Sequence, residues 1–231
     1  MGYNDYMVIN YAIPLVGVLI TLIAQIYVNN SYNKYKYQSL KKKTTGAKVA
    51  RDILDKNGLE NIKIVEVKGN LTDHYDPTKK VVSLSSDIYH GDTIAAASVA
   101  AHECGHAIQH KDRYVFLKIR SLIVPIVNFS TKIGYLVIMI GIIFGSSKLA
   151  LIGLILLLGM LLFQLVTLPV EFNASKRAKK QLTSLNIIDN DELQDSNTML
   201  RAAALTYVAS LITTLLQILR LALIAFGRRD D

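Results

Sequence analysis

The sequence predicts a mainly α integral membrane protein, with three or four transmembrane helices and a small α+β region in water. Three observations lead to that class. Hydrophobic residues make up 51% of the 231-residue chain and the mean hydropathy is +0.30, both high for a soluble protein with helices of ordinary length. The excess sits in four apolar runs, residues 6–28, 122–144, 149–168 and 202–226, each matching the ~20 residues that cross a bilayer. The net charge of +8 gathers beside these runs. Lys34, Lys36, Lys41, Lys42, Lys43, Lys48 and Arg51 follow the first, and Lys176, Arg177, Lys179 and Lys180 follow the third. Basic clusters flanking spans mark the cytoplasmic side of a membrane, so the bilayer, and not nucleic acid, is the expected partner of these charges.

Residues 1–29 read as an N-terminal transmembrane anchor. Only Asp5 precedes the run and dense lysines follow it. A secretory signal peptide has the opposite bias and a small-residue cleavage site. The anchor is therefore expected to be retained, with its N-terminus outside. Residues 30–120 are polar enough to form a cytoplasmic region. Within it, Ala47, Val49, Ala50, Ile53 and Leu54 recur at helical spacing and Asn57-Gly58 ends the helix. Residues 62–67 alternate as a half-buried strand does, Asp76-Pro77 marks a turn, and residues 81–84 form a second short strand. Asp87-Ile88-Tyr89 is a short helix or turn, and Asp92 or Thr93 can cap the helix that follows. The alanine-rich run 95–101 suits a buried helix.

Residues 121–170 are expected to form a transmembrane hairpin, turning at Gly145-Ser146-Ser147-Lys148. Lys132 interrupts its first arm. At 1.5 Å per residue it lies about 18 Å from that turn, which leaves ~10 Å to the inner face of a ~30 Å core. A lysine can snorkel that distance; the alternative is a wet cavity, since charges within spans are often functional. Residues 171–201 read as a cytoplasmic helical segment. Residues 202–231 form a helix that either spans or lies in the interface. It carries Gln217 and Arg220, and Arg228 and Arg229 favour the cytoplasm.

The chemistry is concentrated in His102-Glu103-Cys104-Gly105-His106, an HExxH motif. Residues four apart share a helix face, so both imidazoles can grip one zinc ion while Glu103 takes a proton from zinc-bound water. Short motifs arise by chance, and a surface helix that merely carries two histidines is the competing explanation. The buried character of the preceding alanine run counts against it. HExxH supplies two protein ligands, and a catalytic zinc takes three and a water. The hairpin returns the chain to the cytoplasmic side at Glu171, where a glutamate on a helix can face the motif. Asp189, Asp191, Glu192 and Asp195 lie further on and cluster with Asn190 in a stretch that reads as a polar loop. Cys104 is the single cysteine, which excludes an intramolecular disulfide and a Cys-rich zinc site. It reads as a packed helix residue.

The chain resembles the YugP-like family of bacterial membrane zinc metallopeptidases, related by pattern to HtpX-type and CAAX-prenyl endopeptidases of the gluzincin class. The residues that carry the resemblance are 73–77 (Asp-His-Tyr-Asp-Pro), 81–85, 99–110 around the motif, and 168–175 around Glu171, with residues 203–209 also alike. The resemblance covers nearly the whole chain. It implies a zincin-like catalytic region, a Zn2+ cofactor held by His102, His106 and Glu171, Glu103 as general base, and a peptide or protein substrate. Gluzincins commonly place an acid four residues after the ligand glutamate to hold a ligand histidine; Ser175 stands there instead and can accept the same hydrogen bond. The extended HExxHxxGxxH pattern fails at Gln109 and Asp112, so His110 is not expected to be a ligand. His74 and Tyr75 either sit in an ordinary turn or lie on an edge strand where substrate backbone pairs. Tyr207 is either an oxyanion donor, as in related enzymes, or an interfacial aromatic. The expected setting is a multi-pass protein of the plasma membrane with its site facing the cytoplasm. An intramembrane, site-2-type protease would bury the motif within a span and carry an aspartate motif in another. A non-enzymatic scaffold would have no need of Glu103.

Overall fold

A computed structural model describes residues 6–226; Asp5, Arg228 and Arg229, used above for topology, lie outside the described residues. The chain divides into two compact units, one of Met1–Gln25, Ile119–Leu168 and Thr206–Asp231, the other of Ile26–Lys118 and Pro169–Leu205. Seven α-helices are described. They are α1 (Ile13–Tyr35, entered through a π-helical turn, Val8–Ala12), α2 (Gly46–Lys56), α3 (Ser86–His90), α4 (Ile94–Lys111), α5 (Val115–Ile143), α6 (Ser147–Ser184) and α7 (Asn190–Phe226). Four helices are long and apolar enough to cross a membrane: Val8–Tyr35, Val115–Ile143, Ser147–Ser184 and Asn190–Phe226. The protein is thus a mainly α membrane protein with a small α+β part, as its composition predicts.

The first unit holds the apolar parts of these four helices. Leu15, Ile23, Ile126, Phe129, Ile155 and Leu162 are exposed on them, a pattern that water would penalise and lipid tolerates. Without a hydrophobic drive in lipid, helices associate through small residues. The α5–α6 hairpin does so. A Cβ on Gly141 would stand 2.6 Å from the Ala150 nitrogen, and one on Gly153 would stand 2.8 Å from the Gly134 carbonyl oxygen. The hairpin turns at Gly145, whose φ of +63° suits glycine. Hydroxyls join α1 to α7, with Thr21 Oγ1 3.3 Å from Thr213 Oγ1, and Gln164 donates to Thr214 Oγ1 at 2.7 Å between α6 and α7. Lys132 is exposed on α5.

The second unit packs α2 and α4 on a three-stranded sheet, β1 (Lys63–Val67), β2 (His74–Asp76) and β3 (Val81–Ser85). The order is β1-β3-β2, with β3 parallel to β1 and antiparallel to β2. Central β3 is therefore the most buried strand, and β2 is an edge. Thr45 caps α2, accepting from the Lys48 amide, and Gly58 (φ +64°) ends its turn. Val49, Ala50, Ile53 and Leu54 form the buried face of α2. They meet Val82 and Leu84 of β3, Ala97, Ala100 and Ala101 of α4, and Ala178 and Leu182 of α6 in one core. Thr93, one of the two expected caps, caps α4 by accepting from the Ala96 amide at 3.1 Å. Alanine dominates α4 because neighbours surround it: Ala95, Ala96, Ala97, Ala100 and Ala101 are all at most 1% exposed. Ser98 Oγ donates to the Ile94 carbonyl at 2.7 Å and accepts from Ser196 Oγ at 2.7 Å.

Several boundaries differ from those the sequence predicts: α5 starts at Val115, seven residues before the apolar run, and α6 runs unbroken from Ser147 to Ser184 through the expected boundary at 170/171. Helix α1 continues seven residues beyond the apolar run, because Tyr32 and Tyr35 are buried in the core of the second unit. Helix α7 begins at Asn190, so Asp191, Glu192 and Asp195 are helical rather than part of a polar loop. Acids in a first turn offset the helix dipole. Glu192 is also buried and accepts from the backbone amides of Lys41 and Asp189.

Candidate metal centre

Helices α4 and α6 build the site, and all of its residues lie in the second unit. His102 and His106 are one turn apart on α4, and their rings lie 4.8 Å apart at 90°. The α6 backbone approaches α4 at Gly105: a Cβ there would stand 2.6 Å from the Ala174 carbonyl oxygen. Val170 and Ala174 are fully buried at this crossing. The approach brings Glu171, 3% exposed, into the space between the two imidazoles. Its Oε2 is 3.3 Å from His102 Nε2 and 3.6 Å from His106 Nε2. One ligand atom from each of the three residues lies within 4.8 Å of the others.

These spacings suit a small tetrahedral cation. Bonds of about 2.0–2.1 Å place neighbouring ligand atoms about 3.3–3.4 Å apart. The donor set, two imidazole nitrogens and a carboxylate oxygen, is that of catalytic zinc sites. Both imidazoles present Nε2 inward because Nδ1 is engaged on the far side. His102 Nδ1 is 3.2 Å from Ser175 Oγ, so Ser175 occupies the role of the missing acid. His106 Nδ1 is 3.0 Å from Gln109 Oε1.

Electrostatics agree with a site that concentrates negative charge. Burial pulls the pKa of His106 down, but hydrogen bonding and attraction to Glu171, with the charge of Glu103, overcome this and leave it raised. Glu103 is 8% exposed, on the same helix as the ligand histidines. Asp73 is a further acid here. Its carboxylate accepts from the Ser85 amide at 2.7 Å and from Ser85 Oγ at 3.1 Å, which clamps the start of β2 to the end of β3. Burial pushes the Asp73 carboxyl up against these hydrogen bonds, and the charge of Glu103 adds to the rise.

The remaining candidates are not members of the trio. His110 is exposed and pairs with the Tyr75 hydroxyl at 2.9 Å, joining the end of α4 to the edge strand. Cys104 is fully buried with Sγ 3.6 Å from the Ala50 carbonyl, and burial pushes its thiol well up. Asp189 and Asp191 pair with Lys41, and Asp195 accepts from Gln38 at 2.9 Å. Tyr207 lies on α7 in the first unit, 37% exposed. Gly105, Asp73 and Gln109 contribute to the site without being among the residues that the sequence motifs single out. Gln109, polar and three residues after a candidate ligand on a buried helix, carried a signal; the close approach at Gly105 had none.

Comparison with known proteins agrees with this chemistry. A family model described as "Putative neutral zinc metallopeptidase" matches residues 10–226. "Putative membrane protease YugP" of Bacillus subtilis (strain 168) is 46% identical over 208 residues, covering 90% of this chain and 92% of that protein. No solved structure matches. The chain belongs to this zinc metallopeptidase family.

Alanine at position 105 tests the crossing. Helix propensity alone would gain about 1 kcal/mol from Gly105→Ala. Overpacking against a backbone carbonyl that cannot swing away costs about 1–3 kcal/mol. Gly105→Ala should therefore lower the thermal midpoint and weaken zinc binding at least tenfold in a chelator competition. A variant that is more stable, with unchanged zinc affinity, would show that the helices do not need this approach.

Proposed function

We propose that this family member is a zinc metalloendopeptidase of the gluzincin class, anchored in the plasma membrane, that hydrolyses internal peptide bonds at the cytoplasmic face. The convergence of His102, His106 and Glu171, with Glu103 on the same helix as the two histidines, carries the reading. His102, His106 and Glu171 would hold the metal. Bound there, zinc supplies Lewis acidity, polarising a scissile carbonyl and lowering the pKa of its water to about 7. Glu103 removes a proton from the attacking water and returns it to the leaving amine. Ser175 and Gln109 keep the imidazoles turned toward the metal. Edge strand β2 pairs with β3 on one side and offers its other edge to an extended substrate, with His74 and Tyr75 at the cleft. Tyr207 as oxyanion donor rests on the family resemblance alone.

The four candidate spans leave out α4, and Glu171, though on the helix Ser147–Ser184, lies in the part of it that belongs to the second unit; both favour an aqueous site over an intramembrane one. Both basic clusters belong to the unit that carries the trio, which favours the cytoplasmic side.

Glu103→Gln should retain the zinc content of the wild type and lose about 10²–10⁴-fold in peptide hydrolysis. Activity within threefold of wild type would reassign the base. Orientation is tested by Lys41→Cys and Lys179→Cys, made singly. An impermeant maleimide should fail to label either in intact cells and should label both after permeabilisation. Buried Cys104 contributes no background. Labelling from outside contradicts the cytoplasmic assignment.

A further inference from the structure

Gln109 is 0% exposed, and both its amide nitrogen and its amide oxygen have partners. Nε2 donates to the Val170 carbonyl at 2.7 Å and to Asn173 Oδ1 at 3.0 Å, while Oε1 faces His106 Nδ1 at 3.0 Å. The direction of this network follows from its far end. Arg177 Nε can only donate, and it lies 2.8 Å from the same Asn173 Oδ1. The Arg177 side chain is itself held to Asp112 at the end of α4 by Nη1, which donates to Asp112 Oδ2 at 2.5 Å. The atom of Asn173 that both groups meet is therefore the acceptor, the nitrogen of Gln109 must point to it, and only the oxygen of Gln109 remains for His106. An oxygen that cannot donate requires a proton on His106 Nδ1, so in the neutral imidazole that binds a metal the lone pair falls on Nε2, the atom aimed at Glu171.

We infer that Gln109 and Asn173 are positioning residues that set the tautomer and orientation of His106 for metal binding, with Arg177 fixing the polarity of the chain. The two histidines differ in this respect. Ser175 can donate or accept, so the partner of His102 permits the correct tautomer, whereas the partner of His106 enforces it. The chain also spans the helix crossing: Gln109 bonds the carbonyl of the residue just before Glu171, so the ligands on α4 and α6 are held in register by one side chain.

The inference rests on the proposed zinc site, and the test separates the two. Zinc affinity of the full-length protein in detergent is measured by chelator competition, with thermal unfolding of the zinc-free protein recorded alongside. Gln109→Leu should bind zinc about 10–100-fold more weakly. Asn173→Leu should lose about tenfold, at the low end of that range. Asn173→Asp keeps an acceptor for both Gln109 and Arg177 and should stay within threefold of wild type, whereas Asn173→Leu fills similar space without an acceptor and should not, a split that a purely space-filling role for residue 173 would not give. Zinc affinity within threefold of wild type in Gln109→Leu, or equal losses in the two variants at 173, overturns the inference. Should Gln109→Leu fail to fold, the pair at 173 decides alone. His106→Ala is the control. If it abolishes zinc binding while the others do not, only the tautomer inference falls; if it binds zinc as the wild type does, the site itself is misassigned.

Discussion

The close crossing of α4 and α6 at Gly105 and Ala174 is the constraint on which the site depends. HExxH alone places two imidazoles on one helix face. The third candidate ligand comes from a helix more than sixty residues later, and it arrives only because residue 105 lacks a Cβ. The same crossing sets which side chains line it. Val170, Ala174 and Ala178 present small or branched apolar surface to α4 and are all fully buried. A bulkier set would hold the helices apart and strand Glu171 from the histidines. The alanine-rich start of α4 answers the same demand on the side of α2 and the sheet, where close packing leaves room for little more than methyl groups.

Around that crossing the protein uses neutral amides and a hydroxyl where related metal sites commonly use carboxylates. Ser175 and Gln109 satisfy the far nitrogens of the imidazoles without adding charge. Negative charge is already supplied by Glu171, Glu103 and Asp73, and each further buried carboxylate would raise the cost of keeping the others ionised. Asp73 shows the cost: burial first, and then the charge of Glu103, push its carboxyl up despite its hydrogen bonds from Ser85.

Much of this was legible in the sequence, for identifiable physical reasons. Long apolar runs, helical periodicity in α2 and the Thr93 cap all depend on local patterns. Their elements were found with boundaries shifted by a few residues or, for the long helices, by a turn or more. The errors came where tertiary contacts override local signals. Tyr32 and Tyr35 extend α1 by packing into a distant core. The acids after Ile188, loop-like by composition, start α7 because a helix N-terminus favours them. In the site, His102, Glu103 and His106 declare themselves by spacing. Glu171 could only be reached through the topology of the hairpin and the family resemblance. The roles of Gly105, Gln109 and Asp73 depend on which backbone or side chain lies opposite, which no one-dimensional pattern encodes.

X-ray absorption at the zinc edge of the purified protein tests the central claim most directly. The account predicts one zinc per chain in a shell of nitrogen and oxygen at about 2.0–2.2 Å, with imidazole scattering from two histidines, and loss of that signal in Glu171→Ala. A sulfur neighbour at about 2.3 Å, or an unchanged spectrum and stoichiometry in Glu171→Ala, would contradict it.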